Sequence, residues 1–459
     1  MIKSKKRVRL LLINPWIYDF TAYDFWSKPL GLLYIASMLR KIGYQIDFID
    51  CMDRNDQDLL NIQDHCLPEK DDDGRGHFYK VHISKPKILE HIPRNYCRYG
   101  ITEEIFFEKL NRMKKPDAIL VTSLMTYWYP GVFRIIELVK KYFPNCPVIL
   151  GGIYASLCYQ HAVEFSGADF VVKSYQLNAL VELLNRFADI QFDKLLLKDK
   201  YQYLDYFPYP AWDLYQKLDF ICLMTGRGCP FHCSYCASNL LNSRIEFRDP
   251  RHVAEEITYW KDNKDIYRFI FYDDALLINA ESHFIPLMRR LKKLKLNINF
   301  YTPNAIHARL ITQLIARLMI ENGFKKIWLG FETSNPKLQK ITGGKINNSN
   351  FKKAIKILLS EGFESSQIGA YVLIGLPGQS LNSMIDSLKF VMDTGIKPYL
   401  ARYSPIPGTK IWKQVLQEYG WHESVDPLLH NDSLMPYRTS SVDIQQYHQL
   451  KMLMKQFKL

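Results

Sequence analysis

Apolar residues fall along this chain in two alternating rhythms, short continuous runs and longer stretches with helical spacing. RVRLLLI (7–13) predicts a strand buried on both faces, and LGLLYIASMLRKIG (30–43) predicts a helix that stops at Gly43. QIDFID (45–50), DAILVTS (117–123), PVILGG (147–152) and DFVVKS (169–174) predict four more strands. Helices are predicted around Val132 to Phe143 and onward from 174 through Leu184. Strands alternating with helices of this length predict an α/β domain over 1–190. It would be a doubly wound, Rossmann-like parallel sheet whose ligand sits at the carboxyl ends of the strands. Between 54 and 101 the rhythm lapses, and DDDGRGHFYK and KPKILEHIPRNYCRYG predict an insertion that is ordered in part.

The stretch 191–216, with its YFPYPAWDLY run, reads as a stiff linker, and a second series follows it. Strands are predicted at FICLMT (220–225), YRFIFY (267–272), LNINFY (296–301), KKIWLGF (325–331), QIGAYVLIG (367–375) and KPYLARY (397–403). Helices fit between them near Val253–Trp260, Phe284–Leu294, Ala308–Asn322, Asn350–Glu361 and Leu381–Asp393. Six βα units over 217–415 predict a partial, TIM-like (βα)6 barrel, two units short of a full one. Residues 416–459 read as a short helical extension.

Composition narrows the classes. With 47% hydrophobic and 23% charged residues, the 459-residue chain is ordinary globular material, which excludes disorder and coiled coil. The net charge of +13 favours anionic partners such as nucleotides, phosphorylated substrates or nucleic acid, or else reflects a solvated basic surface. Nine cysteines are too few for a disulfide scaffold, yet three fall within eight residues and mark a site. No apolar run approaches the roughly 20 residues that span a bilayer. The apolar run from Leu10 to Ile13 is too short for a signal-peptide core. A reduced, cytoplasmic protein is expected.

The cluster is GRGCPFHCSYC, with Cys229, Cys233 and Cys236 at C-x3-C-x2-C spacing directly after a predicted strand. Thiolate suits zinc, copper(I) or iron–sulfur clusters. A closed zinc site needs a fourth ligand, which here would be a histidine such as His232. Three cysteines can instead hold a [4Fe–4S] cluster with one iron left open for another ligand.

These three cysteines, with Tyr235 before the last of them, resemble the signature of the radical S-adenosylmethionine (SAM) superfamily. The resemblance implies a partial (βα)6 barrel with the cluster loop after its first strand. It implies an open iron that binds the amino and carboxylate groups of SAM, and reductive cleavage of SAM to methionine and a 5′-deoxyadenosyl radical. Asp273 and Asp274 resemble the segment that contacts the SAM amino group. Glu332 and Thr333 resemble the family's GxES segment, and Lys345 stands where relatives often carry Lys-Gly, although Ile346 follows it here. Gly375, Pro377 and Gly378 resemble the turn that lies against adenine. Tyr403 to Thr409 is similar to the PxPGT segment of multidomain members, and Arg402 beside it could pair with a carboxylate.

INP (13–15), PLGLLYIASMLRKIGYQIDFID (29–50) and VILGGIYAS (148–156) resemble the cobalamin-binding-like domain that precedes many such barrels. That resemblance implies a cobalamin tail along the sheet end at Gly151 and Gly152. The Asp-x-His-x-x-Gly motif is absent, Gly-Gly-x-His reads Gly151-Gly152-Ile153-Tyr154, and the turn after VVK reads Ser174-Tyr175-Gln176. SLMTYWYPG (123–131) offers an aromatic group that could pack on a corrin face, on a substrate or into the core.

The expected function is therefore a radical SAM enzyme using a [4Fe–4S] cluster, SAM and cobalamin on an unidentified substrate. Its electron donor would be a protein such as flavodoxin or ferredoxin, and nucleic acid is not expected as a partner. With cobalamin the resemblance implies methyl transfer to an unactivated carbon or phosphorus centre, and without it a radical rearrangement or cyclisation. Two rivals stand beside it: a zinc-bearing nucleic-acid-binding protein, whose affinity would fall steeply with salt, and a non-catalytic sensor.

Overall fold

The computed structural model describes residues 8–62, 68–173, 177–188, 203–438 and 442–457. Two compact units divide the chain, Met1–Leu218 with Asp426–Leu429, and Asp219–Val425 with His430–Leu459.

In the first unit the apolar runs become five parallel strands: β1 (Arg9–Asn14), β2 (Gln45–Asp50), β3 (Ala118–Val121), β4 (Val148–Leu150) and β5 (Phe170–Val171). Their order across the sheet is β2-β1-β3-β4-β5. The direction of winding reverses between β1 and β3, the place where open α/β sheets bind ligands. Alternate residues of β1 enter opposite cores. Leu11 and Ile13 pack with α2 (Glu103–Asn111) and α3 (Tyr129–Tyr142), while Leu10 and Leu12 pack with α1 (Leu30–Lys41) and α4 (Leu177–Ala188). Burial on both faces explains why this strand carries no alternation.

The insertion is ordered in part. Lys80–His82 and Cys97–Tyr99 join Ile17–Asp19 in a three-stranded antiparallel sheet. The proline-aromatic run expected as a connector is docked on this unit: Ser37 donates to Tyr209 O at 2.6 Å, Arg40 pairs with Asp213, and Tyr215 Oη donates to Asp50 at 2.5 Å. The segments 174–176 and 191–202, on which the turn after VVK and half of the expected linker fall, lie outside the described residues.

The second unit is built on a six-stranded parallel sheet in sequential order, β6 (Ile221–Leu223), β7 (Arg268–Phe271), β8 (Asn299–Ile306), β9 (Phe324–Glu332), β10 (Ile368–Ile374) and β11 (Lys397–Arg402). Sequential order is the topology of a (βα)6 barrel. Its helices are α5 (Pro250–Lys264), α6 (Phe284–Leu294), α7 (Gln313–Glu321), α8 (Asn348–Ser360) and α9 (Leu381–Met392). Several elements end a few residues from their periodic runs, and two of these differences have a local cause. Helix α7 starts at Gln313 rather than Ala308, because Thr312 caps it by accepting from Ile315 N at 3.3 Å, and Ala308–Leu310 forms a 3-10 turn. Strand β8 runs on past Pro303, which lies where its register with β9 shifts between Thr302 and Ile306, so no ladder donor is lost.

Candidate functional site

The three cysteines follow β6 on one loop, as its position at a strand's carboxyl end requires, and all three are free thiols. Burial raises the Cys229 thiol, against a hydrogen bond from the Phe231 backbone, and pushes Cys233 up to about 11. The neighbouring cysteines add to both shifts, so the sulfurs lie within electrostatic reach of one another. The loop is pressed close on its far side: a Cβ on Gly343 would stand 2.9 Å from Cys233 Cα and 3.3 Å from its sulfur. Among the described residues no group of His, Cys, Asp or Glu is drawn together as for a metal ion. His232, the fourth ligand a zinc site would need, is exposed and its Nδ1 lies 3.0 Å from the Asn239 amide.

Both carboxylates at the end of β7 are committed to the loop. Asp273 is buried and accepts from Thr225 Oγ1 at 2.6 Å and from Gly226 N at 2.5 Å. Burial pushes its carboxyl up to about 6 in spite of these bonds. Asp274 clasps both ends of the cysteine loop, accepting from Gly228 N at 2.8 Å, Ser238 Oγ at 3.2 Å and Asn242 Nδ2 at 3.1 Å. Ser238 in turn lies 3.3 Å from Cys236 Sγ. The bonds of the two aspartates join residues more than 30 apart in sequence, a relation that strand-end position alone does not specify.

Glu332 ends β9 at a break in register with β10, and its φ of 62° is in the left-handed region. A non-glycine residue held there costs roughly 1–2 kcal/mol, which the surroundings must supply. They do so through Lys345 Nζ, 2.7 Å from Glu332 Oε1, and through a hydrogen bond with Tyr235. Burial and Glu332 together hold the Tyr235 phenol well above its usual range. Burial alone would lower Lys345, but Glu332, Cys233 and Cys236 outweigh it and raise it above the ordinary lysine value. Lys345, which Ile346 marks as a departure in sequence, is thus at the centre of the site.

His307, which carries no signal in sequence beyond its place at a strand end, follows β8 and puts Nε2 3.9 Å from Cys229 Sγ. Burial first, then Lys345 and Arg309, lowers it to about 3, so the ring is neutral. Gly375 and Gly378 both have positive φ, but the close neighbour of Gly375 is the chain itself: a Cβ there would collide with Met435 Cγ and Sδ. Gly378 has no such neighbour, its Cβ position being 3.8 Å from Gln414 Nε2. Arg402 pairs with Asp432 at 2.8 Å.

In the first unit, Gly152 has a φ of 97°, and a Cβ on it would run into the Ser123 backbone at the end of β3. Ser123 Oγ donates to Gly151 O at 2.6 Å, and Ile153 N donates to Ser123 O at 2.7 Å, so the two strand ends are locked together. Tyr154, where a histidine was the family expectation, is fully buried with its hydroxyl 2.6 Å from His161 Nδ1. Of SLMTYWYPG, Tyr127, Trp128 and Tyr129 pack inside the unit, Trp128 donating to Asp19 at 2.7 Å, and Met125 alone is exposed. The rim here is Gly151 and Met125, small or apolar, and Ser123 is buried. Such a rim fits a flat cofactor held without a histidine ligand.

Three free thiols thus sit on a braced loop at the carboxyl end of the first strand of a six-stranded parallel sheet. Residues 223–391 match the radical SAM superfamily and residues 96–184 match the B12 binding domain. The chain carries both domains and is a radical SAM enzyme. The barrel domain implies a [4Fe–4S] cluster, SAM, a reductant and a substrate, and the B12-binding domain implies cobalamin. An uncharacterized methyltransferase, PH0819 of Pyrococcus horikoshii, is 23% identical over 365 residues, covering 72% of this chain and 78% of that one. The cytidylyl-2-hydroxyethylphosphonate methyltransferase of Streptomyces wedmorensis is 20% identical over 480 residues, covering 91% and 83%. Among solved structures, the radical SAM methyltransferase TsrM of Kitasatospora setae, with cobalamin and [4Fe–4S] bound, superposes with a TM-score of 0.64. It is 15% identical over 90% of this chain and 78% of its own, a likeness of fold. No helix among the described residues is long and apolar enough to cross a membrane.

Proposed function

We propose that the chain is a cobalamin-dependent radical SAM methyltransferase. The observation that carries this reading is the cysteine loop, free in its thiols and clasped at both ends by Asp274. When bound, the cluster and SAM supply a radical that takes a hydrogen atom from substrate, and cobalamin supplies the methyl group.

Cys229, Cys233 and Cys236 would each hold one iron. Lys345 sets a fixed positive charge against the negative charge of the thiolates. Glu332, Tyr235 and the Gly375–Gly378 turn would orient SAM, and Asp274 would do so while bracing the loop. Asp273, buried beneath the loop, acts as a positioning residue through Thr225 and Gly226. Gly151 and Gly152 would let the cobalamin tail lie against the strand ends. The domain limits we propose are 1–190, 217–415 and 416–459, with 191–216 as a connector whose proline-aromatic run is docked on the first unit. Two relatives that are methyltransferases by name support methyl transfer as the reaction, for which the acceptor we propose is a carbon or phosphorus centre. A small acidic electron carrier such as flavodoxin or ferredoxin, in a reducing cytoplasm, suits the cluster chemistry and the +13 charge.

The experiment is an assay of the anaerobically reconstituted chain with SAM, cobalamin and a strong reductant, with Cys233→Ala as control. Formation of 5′-deoxyadenosine by the parent alone, with cobalamin retained through gel filtration, is the expected result. A chain that builds its cluster but retains no cobalamin would overturn the methyltransferase reading.

A further inference from the structure

We propose that His307 donates a hydrogen bond from Nε2 to Cys229 Sγ in the cluster-loaded loop and thereby raises the reduction potential of the cluster. The inference rests on the cluster reading above and names a residue that reading does not use.

Geometry carries it. His307 reaches the loop from the end of β8, across 78 residues of sequence, and its Nε2 is 3.9 Å from the sulfur, within reach of a sulfur hydrogen bond. The side chain is only 8% exposed, so water does not compete freely for that nitrogen. Its orientation is held by Phe231, which is itself held in turn. The ring stands edge-on to Phe231 at a centroid distance of 4.5 Å, and the Arg309 guanidinium covers Phe231 at 4.4 Å. The backbone leaving His307 is also held, since Leu310 N donates to His307 O at 2.9 Å. Phe231 lies between Cys229 and Cys233, so the ring that holds the imidazole belongs to the same loop as the sulfur it addresses.

The chemistry gives the sign. A one-electron reduction adds negative charge that is shared by the cluster and its ligand sulfurs, with no bond made or broken. An N–H aimed at one of those sulfurs stabilises the reduced state more than the oxidised one, and hydrogen bonds to sulfur are among the factors that set such potentials. Cys236 has a shorter neighbour in Ser238, but that hydroxyl also serves Asp274, whereas the imidazole is the side chain reaching Cys229 from another strand.

The test is a redox titration of the reconstituted full chain with dithionite, in the absence of SAM and followed by electron paramagnetic resonance. His307→Leu is expected to titrate at a lower potential with unchanged iron content. A tenfold loss in the reduction equilibrium constant would move the midpoint by about 59 mV for one electron. Phe231→Leu, which keeps the imidazole but loosens it, should shift the midpoint in the same direction by less. Equal midpoints for parent and His307→Leu would overturn the proposal. If His307→Leu takes up no iron, an unshifted Phe231→Leu would overturn it as well. Hyperfine coupling of the size of an iron-bound 15N-histidine would also overturn it, by making His307 a ligand. A parent chain that builds no cluster would instead sink the cluster reading itself, and this inference with it.

Discussion

Lys345 Nζ lies 2.7 Å from Glu332 Oε1, and this buried pair joins the end of β9 to the loop that presses on Cys233. The lysine also interacts electrostatically with all three cluster cysteines or their neighbours, so one ion pair serves both the strained strand end and the thiol loop. Removing one member of such a pair leaves an uncompensated buried charge. Lys345→Met should therefore destabilise the folded chain by about 3 kcal/mol. Lys345→Met combined with Glu332→Gln should recover most of that loss. Urea unfolding of the single and double variants, followed by circular dichroism, measures both. Additive losses would show that the two residues do not act as a pair.

Asp273 gives a pH signature. Its folded carboxyl is raised to about 6 by burial, above the unfolded value of about 3.9. Between these values the folded state holds a proton that the unfolded chain has released. Its contribution to stability is therefore full below about pH 4, falls as pH rises toward 6, and is flat above that. The parent should lose about 3 kcal/mol more than Asp273→Asn across this window. The measurement is the difference between the two denaturation curves at pH 4 and pH 7, and parallel pH profiles would exclude the assignment.

Asp274 acts on the loop rather than on the fold. Asp274→Ala frees Gly228 N, Ser238 and Asn242 together, so the reconstituted variant should lose iron faster than the parent during anaerobic gel filtration. Its circular dichroism spectrum should be unchanged. Equal iron retention would mean that the clasp does not restrain the cysteines.

Gly375→Ala tests the close approach at the end of β10. The new methyl meets Met435 and the residue keeps a φ of 79°, so overpacking and left-handed backbone together should cost about 3 kcal/mol. Met435→Ala in the same chain removes the collision but not the backbone penalty, and a double-mutant cycle should show a favourable coupling. A thermal melt of Gly375→Ala that matches the parent would contradict the collision.

Legibility in the sequence followed the range of the interactions. Strand β2 and helix α6 coincide with their periodic runs to the residue, because burial pattern and local breakers agree there. The order of six barrel strands and the cysteine loop after the first were likewise readable. Pro303 and Thr312 shifted the ends of β8 and α7, since a register break and a side-chain cap are decided by neighbours rather than by period. The strand-end aspartates stand out as carboxylates, yet their partners are up to 48 residues away. Lys345 was legible only as a departure from a family segment, its pairing with Glu332 unseen, and His307 became visible only when β8 brought it beside Cys229.

The double hold of Asp274 on the loop also bears on repair. In a zinc finger the metal is the fold, and its loss unfolds the domain. Here carboxylate and backbone keep the three thiols on one loop by bonds that involve no iron. The loop's shape is therefore held separately from whatever its thiols bind, so emptying and refilling the socket should need no refolding.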